Sequence, residues 1–545
     1  MNTYHCVSPF LLDRRVFVRD ATGLVRALSP TDNFMLGIVG ITPGVALVLY
    51  NVYLPYLYPG VNMTLGTLGS IPVSLIFGAT YYLLAISMPR SGGDYVYGSR
   101  IVHPLWGLLP NWMYTFVNVA ALGFYASTVG GSYLGVFFAM LGTFFNNSQL
   151  MSWSSAVSSV NGAFVVALVV IWASAIINVL GIRAYAKAQV VMFIIAMLGI
   201  FVLLGILAVN NNQTFQTAFN NYGTAYNVTY NGMISQAKSA GWAPQGFSLT
   251  QTLLALPYIA GFSLATVWPV IPAGEAKNPQ KSMLYGTVYA ITVAGIIYLV
   301  TTILYFNVVG DEFTKAVGYV SNCGCTTYAL PVGPYIQFLT GMLTNNPALI
   351  FFLGFSFLVW SVILLPAFYI ITTRSMFAWS FDRLLPSFIA DVNDTYHAPM
   401  NAILIVAVLA SLMGALSLYT TYVGYAFNLT LAVVSCFIFA GVAAAVFPFS
   451  KRARHMYETA PPIVRKKIGA VPIITLIGGA EAIIFAYLTY LDGTSSALSG
   501  PINPASIGLI GVMYLVPFGI YFGSRAYHKK KGLNIDMAFK EIPPE

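Results

Sequence analysis

The residues with the clearest chemical potential in this sequence are glycines and prolines set inside two long apolar segments. The first segment reads GIVGITPGVAL over residues 37–47, and the second reads LPYIAGFSLATVWPVIP over residues 256–272. Pro43 lacks an amide hydrogen and clashes with the preceding turn, while Gly40 and Gly44 relax the backbone. Each segment is therefore expected to interrupt a helix. Amides freed at a helix N-terminus favour a carboxylate and freed carbonyls suit an ammonium or a cation, so a pair of breaks suits a zwitterion.

A second interpretation of the first segment needs no ligand. Gly40 and Gly44 are spaced as Gly-xxx-Gly, which is typical of close helix packing in membranes. A kink combined with close packing would explain both glycines, and the sequence alone does not decide between the two interpretations.

The elements that must position these segments are transmembrane helices. The chain has 545 residues, of which 58% are hydrophobic and only 8% are charged, whereas soluble domains are about 25% charged. This composition disfavours a soluble enzyme or a nucleic-acid-binding protein. Apolar runs of about 20 residues, the length that crosses a bilayer, occur about twelve times and predict an all-α polytopic membrane protein. The predicted spans are 34–57, 65–88, 110–140, 161–180, 189–209, 249–272, 283–307, 347–373, 398–418, 422–448, 470–491 and 504–523.

The distribution of basic residues predicts the orientation of the chain. If the N-terminus lies inside, 23 of the 25 Lys and Arg residues fall on the inner side, and only Lys238 and Lys315 fall outside. Because cytoplasmic loops carry the excess of basic residues, both termini are expected in the cytoplasm of a plasma-membrane protein. The net charge of +9 is therefore an orientation signal and does not indicate a nucleic-acid partner.

The first and sixth spans, which carry the breaks, take matching places if the chain consists of two units of five spans. Because five is odd, the second unit must be inverted relative to the first. Breaks at corresponding positions of inverted repeats indicate a transporter binding site near the bilayer midplane. The predicted organisation is an N-terminal tail (1–30), a first repeat (31–210), a second repeat (249–450), two accessory helices (470–523) and a C-terminal tail (524–545).

Three inner loops carry recognisable motifs. Residues 88–100 read MPRSGGDYVYGSR, residues 272–281 read PAGEAKNPQK, and residues 374–386 read RSMFAWSFDRLLP, followed by APMNAI at 398–403. Together they resemble the loops after the second, sixth and eighth helices of amino acid permeases of the amino acid–polyamine–organocation superfamily. The resemblance covers roughly 31–525, and the end of the chain resembles the tails of archaeal members.

This resemblance implies a five-plus-five inverted-repeat fold with two additional C-terminal helices, and amino acid transport by alternating access. It places the substrate carboxylate at the backbone of the first break and the substrate amine at the carbonyls of the sixth span. Carried over residue by residue, the substrate-binding set is Gly40, Ile41, Thr42, Pro43 (backbone only), Gly44, Ala260, Gly261, Phe262 and Ser263.

Two departures from the family pattern affect this transfer. Gly261-Phe262-Ser263 stands where the family often has Gly-Phe-Glu, and the following stretch is about one helical turn longer than usual. If spacing rather than motif decides, the second break moves to about 265–268. Some proton-coupled members also carry a lysine in the fifth span, near Ala196 of this chain, whereas the predicted spans here contain no lysine.

The scarcity of charge within the spans favours a neutral substrate. A cationic amino acid would require a carboxylate in the pocket and an anionic one an Arg or Lys, and spans one, three, six, eight and ten carry neither. Tyr114 or Phe116 of the third span and Trp268 of the sixth are candidate pocket walls or gates, although most aromatic side chains in such a chain simply pack. A cation site would lie between the first break and the hydroxyls of Ser356 and Ser361. The alternative is that these serines bond their own helix.

Charged residues at the inner ends of the spans are candidates for an inner gate. Arg90, Asp94, Glu275 and Lys277 belong to this group, with solvated loop charges as the alternative. The sequence also places Asp382 beside Arg383 at the end of the eighth span.

Glu481 is the acid that lies well inside a predicted span, the eleventh. Charges in lipid are costly and usually functional, so proton coupling and a hydrogen-bonded structural role both remain open. Cys323 and Cys325 share an outer loop, where free thiols, a local disulfide and a metal contact are alternatives.

The sequence as a whole predicts a secondary active transporter that imports an amino acid, coupled to H⁺ or Na⁺ or working as an exchanger. It predicts no cofactor, no resident metal and no enzymatic activity, because the spans lack clustered ionisable residues. A channel or facilitator and a nutrient sensor on a transporter scaffold are the alternatives of another class. The sequence does not predict the oligomeric state.

Overall fold

The computed structural model describes residues 23–261, 267–420, 429–494 and 504–542. In this part of the chain the regular structure is helical apart from one small hairpin, formed by β1 (Lys467–Ile468) and β2 (Val471–Pro472). In chain order the helices are α1 (Pro30–Ile41), α2 (Pro43–Leu57), α3 (Met63–Ser87), α4 (Asp94–Ile101), α5 (Pro104–Phe144), α6 (Ser148–Ser158), α7 (Val160–Val179), α8 (Ile182–Ala208), α9 (Asn212–Gly223), α10 (Tyr230–Ser239), α11 (Leu249–Gly261), α12 (Pro279–Val309), α13 (Asp311–Asn322), α14 (Ile336–Gly341), α15 (Pro347–Phe381), α16 (Met400–Tyr419), α17 (Leu429–Val446), α18 (Arg454–Thr459), α19 (Pro462–Arg465), α20 (Ile473–Thr494) and α21 (Pro504–Lys530).

The helices account for the predicted membrane spans. Within the described residues, 11 helices are long and apolar enough to cross a membrane. The predicted sixth span contains the shorter α11, with 13 residues, and the first span consists of α1 and α2. The prediction of an all-α polytopic membrane protein with about twelve spans is therefore confirmed.

Helix packing follows the same pattern in the two halves of the chain. If each of the first five spans is exchanged with the span five places later, each helix contact becomes another contact that the structure contains. The contact of α1 with α12 corresponds in this way to that of α11 with α3, and the contact of α5 with α16 corresponds to that of α15 with α7. The contact of α8 with α15 likewise corresponds to that of α17 with α5. This correspondence supports the inverted arrangement, while the predicted bounds of the repeats, 31–210 and 249–450, stay a prediction.

One end of the bundle, where α1 begins and α15 ends, is here called the basic end. The strand-like segment before α1 pairs with the turn after α11, because Leu28 N–H donates to the Glu275 carbonyl and Lys277 N–H donates to the Leu28 carbonyl. The loop before α4 passes between α15 and this turn at Gly92 and Gly93, which both have positive φ. A Cβ on Gly92 would lie 2.6 Å from the Cβ of Ala378, so this passage requires glycine.

The opposite end is covered by the short helices α9, α10 and α13. Phe313 of α13 stacks on Tyr230 of α10 at 4.4 Å and packs edge-on against Phe219 of α9. In the same region Cys323 and Cys325 are joined by a disulfide bond, which decides among the alternatives that the sequence left open for this pair.

Candidate functional site

The first span is interrupted at Thr42, within the segment that the sequence singled out. Helix α1 ends at Ile41, Thr42 adopts the left-handed conformation with φ 49° and ψ 60°, and α2 begins at Pro43. A β-branched residue at positive φ is a strained outlier that folded structures keep mainly at functional places. The predicted helix break is therefore confirmed, and its use as a binding site remains a prediction.

The break presents backbone groups of defined polarity. The amide of Thr42 donates to the Ile38 carbonyl at 2.9 Å, and the amide of Ala46 donates to the Thr42 carbonyl at 3.0 Å. Pro43 has no amide hydrogen, and the amides of Gly44 and Val45 fall in the first turn of α2, where the helix supplies no acceptor. The break thus directs free amides and the positive end of the α2 dipole toward the same point.

A tyrosine of the seventh span engages the carbonyls at this break. The hydroxyl of Tyr298 lies 3.3 Å from the carbonyl oxygen of Ile41 and 3.4 Å from that of Thr42. Tyr50 of α2 and Tyr125 of α5 lie near Tyr298. Because the single hydroxyl hydrogen of Tyr298 engages one of these carbonyls at a time, the first break offers amides more readily than carbonyls to a ligand.

A cavity lies beside the break, between α2, α3, α11 and α12. Its wall includes Ile41 from the break, Tyr50 and Asn51 from α2, Ile259 from α11 and Tyr298 from α12. The described residues that line it are all uncharged. The first break and the end of α11 therefore face one uncharged space.

Gly44 has a packing role in addition to its place at the break. A Cβ on Gly44 would lie 2.3 Å from the indole of Trp360 in α15. The indole N–H of Trp360 donates to the carbonyl of Ala196 in α8 at 2.9 Å. Close packing, the second interpretation of the glycine pair, is thus realised at Gly44.

The predicted residues of the sixth span are only partly described. Ala260 is buried, and Gly261 is the last residue of α11. Phe262 and Ser263 lie outside the described residues, as does the first half of the alternative break at 265–268. Residues 267–270 form a short 3-10 turn that contains Trp268.

Trp268 and Tyr114 are brought together, as candidates for a pocket wall must be. The indole N–H of Trp268 donates to the Tyr114 hydroxyl at 3.0 Å, and the Trp268 ring packs edge-on against Phe368 of α15 at 4.9 Å. Phe116 follows Tyr114 by two residues and so points away from it on the helix, where it is half-buried. Among the described residues of the sixth span, Trp268 contacts Tyr114.

The two serines proposed for a cation site bond their own helix. Ser356 donates to the Leu353 carbonyl at 3.0 Å, and Ser361 donates to the Leu358 carbonyl at 2.7 Å. Ser356 also faces α8, because a Cβ on Gly199 would lie 1.9 Å from its hydroxyl oxygen. The geometry therefore favours the alternative of backbone bonding and does not direct Ser356 to the first break.

At the basic end, Arg100 of α4 forms a bidentate ion pair with Asp382 at the end of α15. The two guanidinium–carboxylate distances are 2.6 and 2.9 Å, and both side chains are buried. The hydroxyl of Tyr95 also donates to Asp382, at 2.7 Å. Asp382 is thus paired through space with Arg100 and not with Arg383, its neighbour in sequence.

A second buried ion pair joins Glu275, in the turn after α11, to Arg374 in α15. The distances are 2.8 and 2.9 Å, and the side chains are 0% and 1% exposed. Lys277, which the sequence grouped with Glu275, is exposed. The two ion pairs connect all three loop motifs, because each joins one of the first two motifs to the third.

Asp94 forms a third buried contact at this end. Asn111 of α5 donates to its carboxylate at 2.7 Å and accepts a hydrogen bond from the indole of Trp379 at 2.9 Å. Burial raises the pKa of Asp94 to about 6, although the hydrogen bond from Asn111 opposes the shift. Arg90, the remaining gate candidate, is half-buried and donates to the Pro89 carbonyl.

The C-terminal segment covers the Arg100–Asp382 pair. A 3-10 turn, Ile535–Lys540, inserts Phe539, whose ring lies 5.4 Å from the Arg100 guanidinium carbon. Arg100 also donates to the Glu541 carbonyl, and Arg452 donates to the Phe539 carbonyl, each at 3.3 Å. The tail thus supplies a carbonyl acceptor for the Arg100 N–H that the ion pair leaves unused.

Comparison with known protein families agrees with this architecture. A model described as amino acid permease matches residues 33–513 of the chain. The match includes the interrupted first span, the three loop motifs and the ion pairs that join them. The chain therefore belongs to the amino acid permease family and is a multi-pass membrane transporter of amino acids.

Proposed function

We propose that this transporter imports a neutral amino acid by alternating access, with the substrate held between the first-span break and the end of α11. The observation that carries this proposal is the left-handed Thr42, which keeps α1 and α2 apart at a strained joint. Strain of this kind persists only when the surrounding structure maintains it, and it is typical of ligand-binding positions.

The polarity of the site fits a zwitterion in one orientation. The amides of Gly44 and Val45 at the start of α2 suit the substrate carboxylate. The described part of α11 runs to Gly261, and the substrate ammonium is placed at the carbonyls of this region, because the last carbonyls of a helix carry its negative dipole end. The occupation of the Ile41 and Thr42 carbonyls by Tyr298 favours this assignment over the reverse. Phe262 and Ser263 complete the proposed site.

The uncharged cavity supports a neutral side chain. A charged side chain would lose its hydration on entering this space and would meet no opposite charge among the described lining residues. Tyr114 and Trp268 lie outside the lining of this cavity and are proposed as a wall of the substrate path between the third and sixth spans.

The two buried ion pairs are proposed as the inner gate. Arg100 belongs to the first predicted repeat and Asp382 to the second, so movement of one repeat against the other would separate them. The Glu275–Arg374 pair lies within the second predicted repeat and links the turn after α11 to α15, so it would separate only when these two parts of that repeat move apart. In this proposal the basic end and both termini face the cytoplasm, as the distribution of Lys and Arg predicts.

Uptake by proteoliposomes tests this function. Purified full-length protein would be offered each of a panel of labelled amino acids, with pH and sodium gradients imposed separately. We expect accumulation or exchange of one or more neutral amino acids. Accumulation against a concentration gradient would exclude a channel, and a failure to take up or exchange any amino acid under any gradient would contradict the proposal.

A further inference from the structure

Glu481, in the middle of α20, is a buried acid for which the inner gate and the substrate site provide no role. Its side chain is 0% exposed, and neither carboxylate oxygen has a hydrogen-bond partner among the described residues. Burying an isolated carboxylate in an apolar interior costs much free energy, so such a group binds a proton and becomes neutral. An ionisable residue at membrane depth is a functional candidate for the same reason.

The polar groups beside Glu481 suit a carboxyl that gains and loses a proton. Thr80 of α3 lies next to it, and its hydroxyl donates to the Ile76 carbonyl at 3.1 Å. In this rotamer the hydroxyl oxygen accepts from a carboxylic acid, and after rotation the hydroxyl donates to a carboxylate. The hydroxyl of Tyr81 is also close and has no partner among the described residues, and it can donate to the carboxylate once the proton has left. Both protonation states thus find hydrogen-bonding neighbours.

The helix that carries Glu481 is also connected to the substrate-binding half-helix. Glu481, Phe485, Leu488 and Asp492 lie on one buried stripe of α20, at the spacing i, i+4, i+7 and i+11. Asp492, at the far end of this stripe, accepts a hydrogen bond from Tyr258 of α11. This hydrogen bond joins α11 to α20 and provides a route by which movement of α11 can reach α20.

A second connection runs through aromatic rings toward the pocket wall. Phe77 of α3 contacts Phe485 at 5.3 Å and Phe437 of α17 at 4.8 Å. Phe437 in turn contacts Tyr114 at 5.5 Å, and Tyr114 accepts the hydrogen bond from Trp268. Rearrangement at the pocket wall would therefore change the packing around Glu481.

The other titratable groups near Glu481 have hydrogen-bond partners or lie at the exposed end of α20. Asp94, which also faces the Tyr81 hydroxyl, accepts a hydrogen bond from Asn111 at 2.7 Å. Cys436 of α17 already donates its thiol to the Ala432 carbonyl at 3.1 Å. Tyr258 and Asp492 satisfy each other at the opposite end of the stripe. Lys466 and Lys467 precede α20 and are exposed at the basic end. Helix α17 approaches α20 closely at Gly441, where a Cβ would lie 2.7 Å from the Ala482 nitrogen, so little space is left there for other groups.

We propose that Glu481 is the proton-binding group that couples amino acid uptake to the proton gradient. In one state of the bundle a carboxylate oxygen of Glu481 forms an O–H bond with a proton from the outer solution. In the other state this bond breaks and the proton leaves to the inner solution, so one proton accompanies each amino acid. This inference rests on the proposed transport function and places the coupling group in an accessory helix, outside the two repeats.

The test compares wild-type protein with Glu481→Gln and Glu481→Leu in proteoliposomes, using a mixture of labelled neutral amino acids. Glu458→Gln, which changes an exposed acid paired with Arg454, is the matched control. Two assays are run on each protein: accumulation driven by a pH gradient of one unit, and counterflow with no gradient. A pH-sensitive dye records proton movement when the amino acids are added.

For one proton per amino acid, a one-unit gradient corresponds to about ten-fold accumulation by wild-type protein. Both Glu481 variants are expected to lose this accumulation and the dye signal while keeping counterflow within about two-fold of wild type. Gradient-driven accumulation by Glu481→Gln would overturn the inference, as would a wild-type protein that performs counterflow but moves no protons. The dye assay on wild-type protein still tests the inference if both variants fail to fold. An absence of counterflow in wild type would instead contradict the proposed function itself.

Discussion

The hydroxyl of Tyr298 lies 3.3 Å from the carbonyl oxygen of Ile41, so the seventh span holds the first span at the residue where α1 ends. This contact gives the break a polarity, because a carbonyl already bonded to tyrosine competes poorly for a substrate ammonium. Removing the hydroxyl would free the carbonyl and loosen the joint at Thr42.

Tyr298→Phe is therefore expected to raise the apparent KM for the transported amino acid by about two- to ten-fold, since a neutral hydrogen bond contributes about 0.5–1.5 kcal/mol. Folding should be unaffected because the ring is retained. Tyr289→Phe, at an exposed tyrosine of the same helix, serves as the control. Equal KM values for both variants and wild type would show that the contact has no bearing on substrate binding.

The Arg100–Asp382 pair provides a test of the gate by double substitution. Arg100→Leu leaves a buried carboxylate without its partner, and such losses cost about 3–5 kcal/mol. We expect a marked fall in thermal stability in detergent for each single variant and partial recovery in Arg100→Leu/Asp382→Leu, because the double variant buries no uncompensated charge. If the two losses simply add, the pair is not coupled as the structure indicates.

Asp94 predicts a specific pH dependence of stability. Its pKa is about 6 in the folded protein, above its usual value of 3.8, so its stabilising contribution is present below about pH 4 and is lost as the pH rises through 6. Asp94→Asn keeps an oxygen that accepts from Asn111, and because it does not ionise, it does not lose stability as the pH rises. Between pH 4 and pH 7 the free energy of unfolding of the variant should therefore increase relative to that of wild type by up to about 3 kcal/mol.

Thermal unfolding of both proteins over this pH range measures the effect. Asp394→Asn, at an exposed acid, should follow the wild-type curve throughout. A constant difference between Asp94→Asn and wild type would mean that Asp94 does not titrate differently in the folded state.

The C-terminal turn should stabilise the closed basic end. Phe539 is 0% exposed, and truncating a buried phenylalanine costs about 3–5 kcal/mol, to which the lost contact with the Arg100 guanidinium adds. Phe539→Ala should therefore lower the unfolding temperature and increase the access of a bulky thiol reagent to a cysteine introduced at the gate. Met537→Ala, at a position 44% exposed in the same turn, should do neither.

The comparison of sequence and structure separates local features from features that depend on the folded chain. The spans and the break at Thr42 were predictable because apolar runs, Pro43 and the flanking glycines act within a few residues. The partner of Asp382 was not predictable, because Arg100 lies 282 residues away whereas Arg383 is its neighbour in sequence.

Other parts of the site escaped prediction for related reasons. Tyr298 is one of 35 tyrosines, and nothing in its immediate neighbours marks it as the residue that reaches the first break. Tyr114 and Phe116 are both aromatic residues of the third span, and only the folded chain shows that Tyr114 contacts Trp268. Arg374 and Asn111 became recognisable only through their contacts with Glu275 and Asp94.

The central claim is that the two interrupted spans bind the amino acid, and counterflow by glycine variants tests it most directly. Gly40→Leu and Gly261→Leu place a bulky side chain at the two breaks. Gly205→Leu is the control, because a Cβ at Gly205 would meet no other atom within 4 Å. With all three proteins folded, we predict at least a ten-fold loss of neutral amino acid counterflow for the first two and near-normal counterflow for Gly205→Leu. Wild-type rates in both Gly40→Leu and Gly261→Leu would contradict the proposed site.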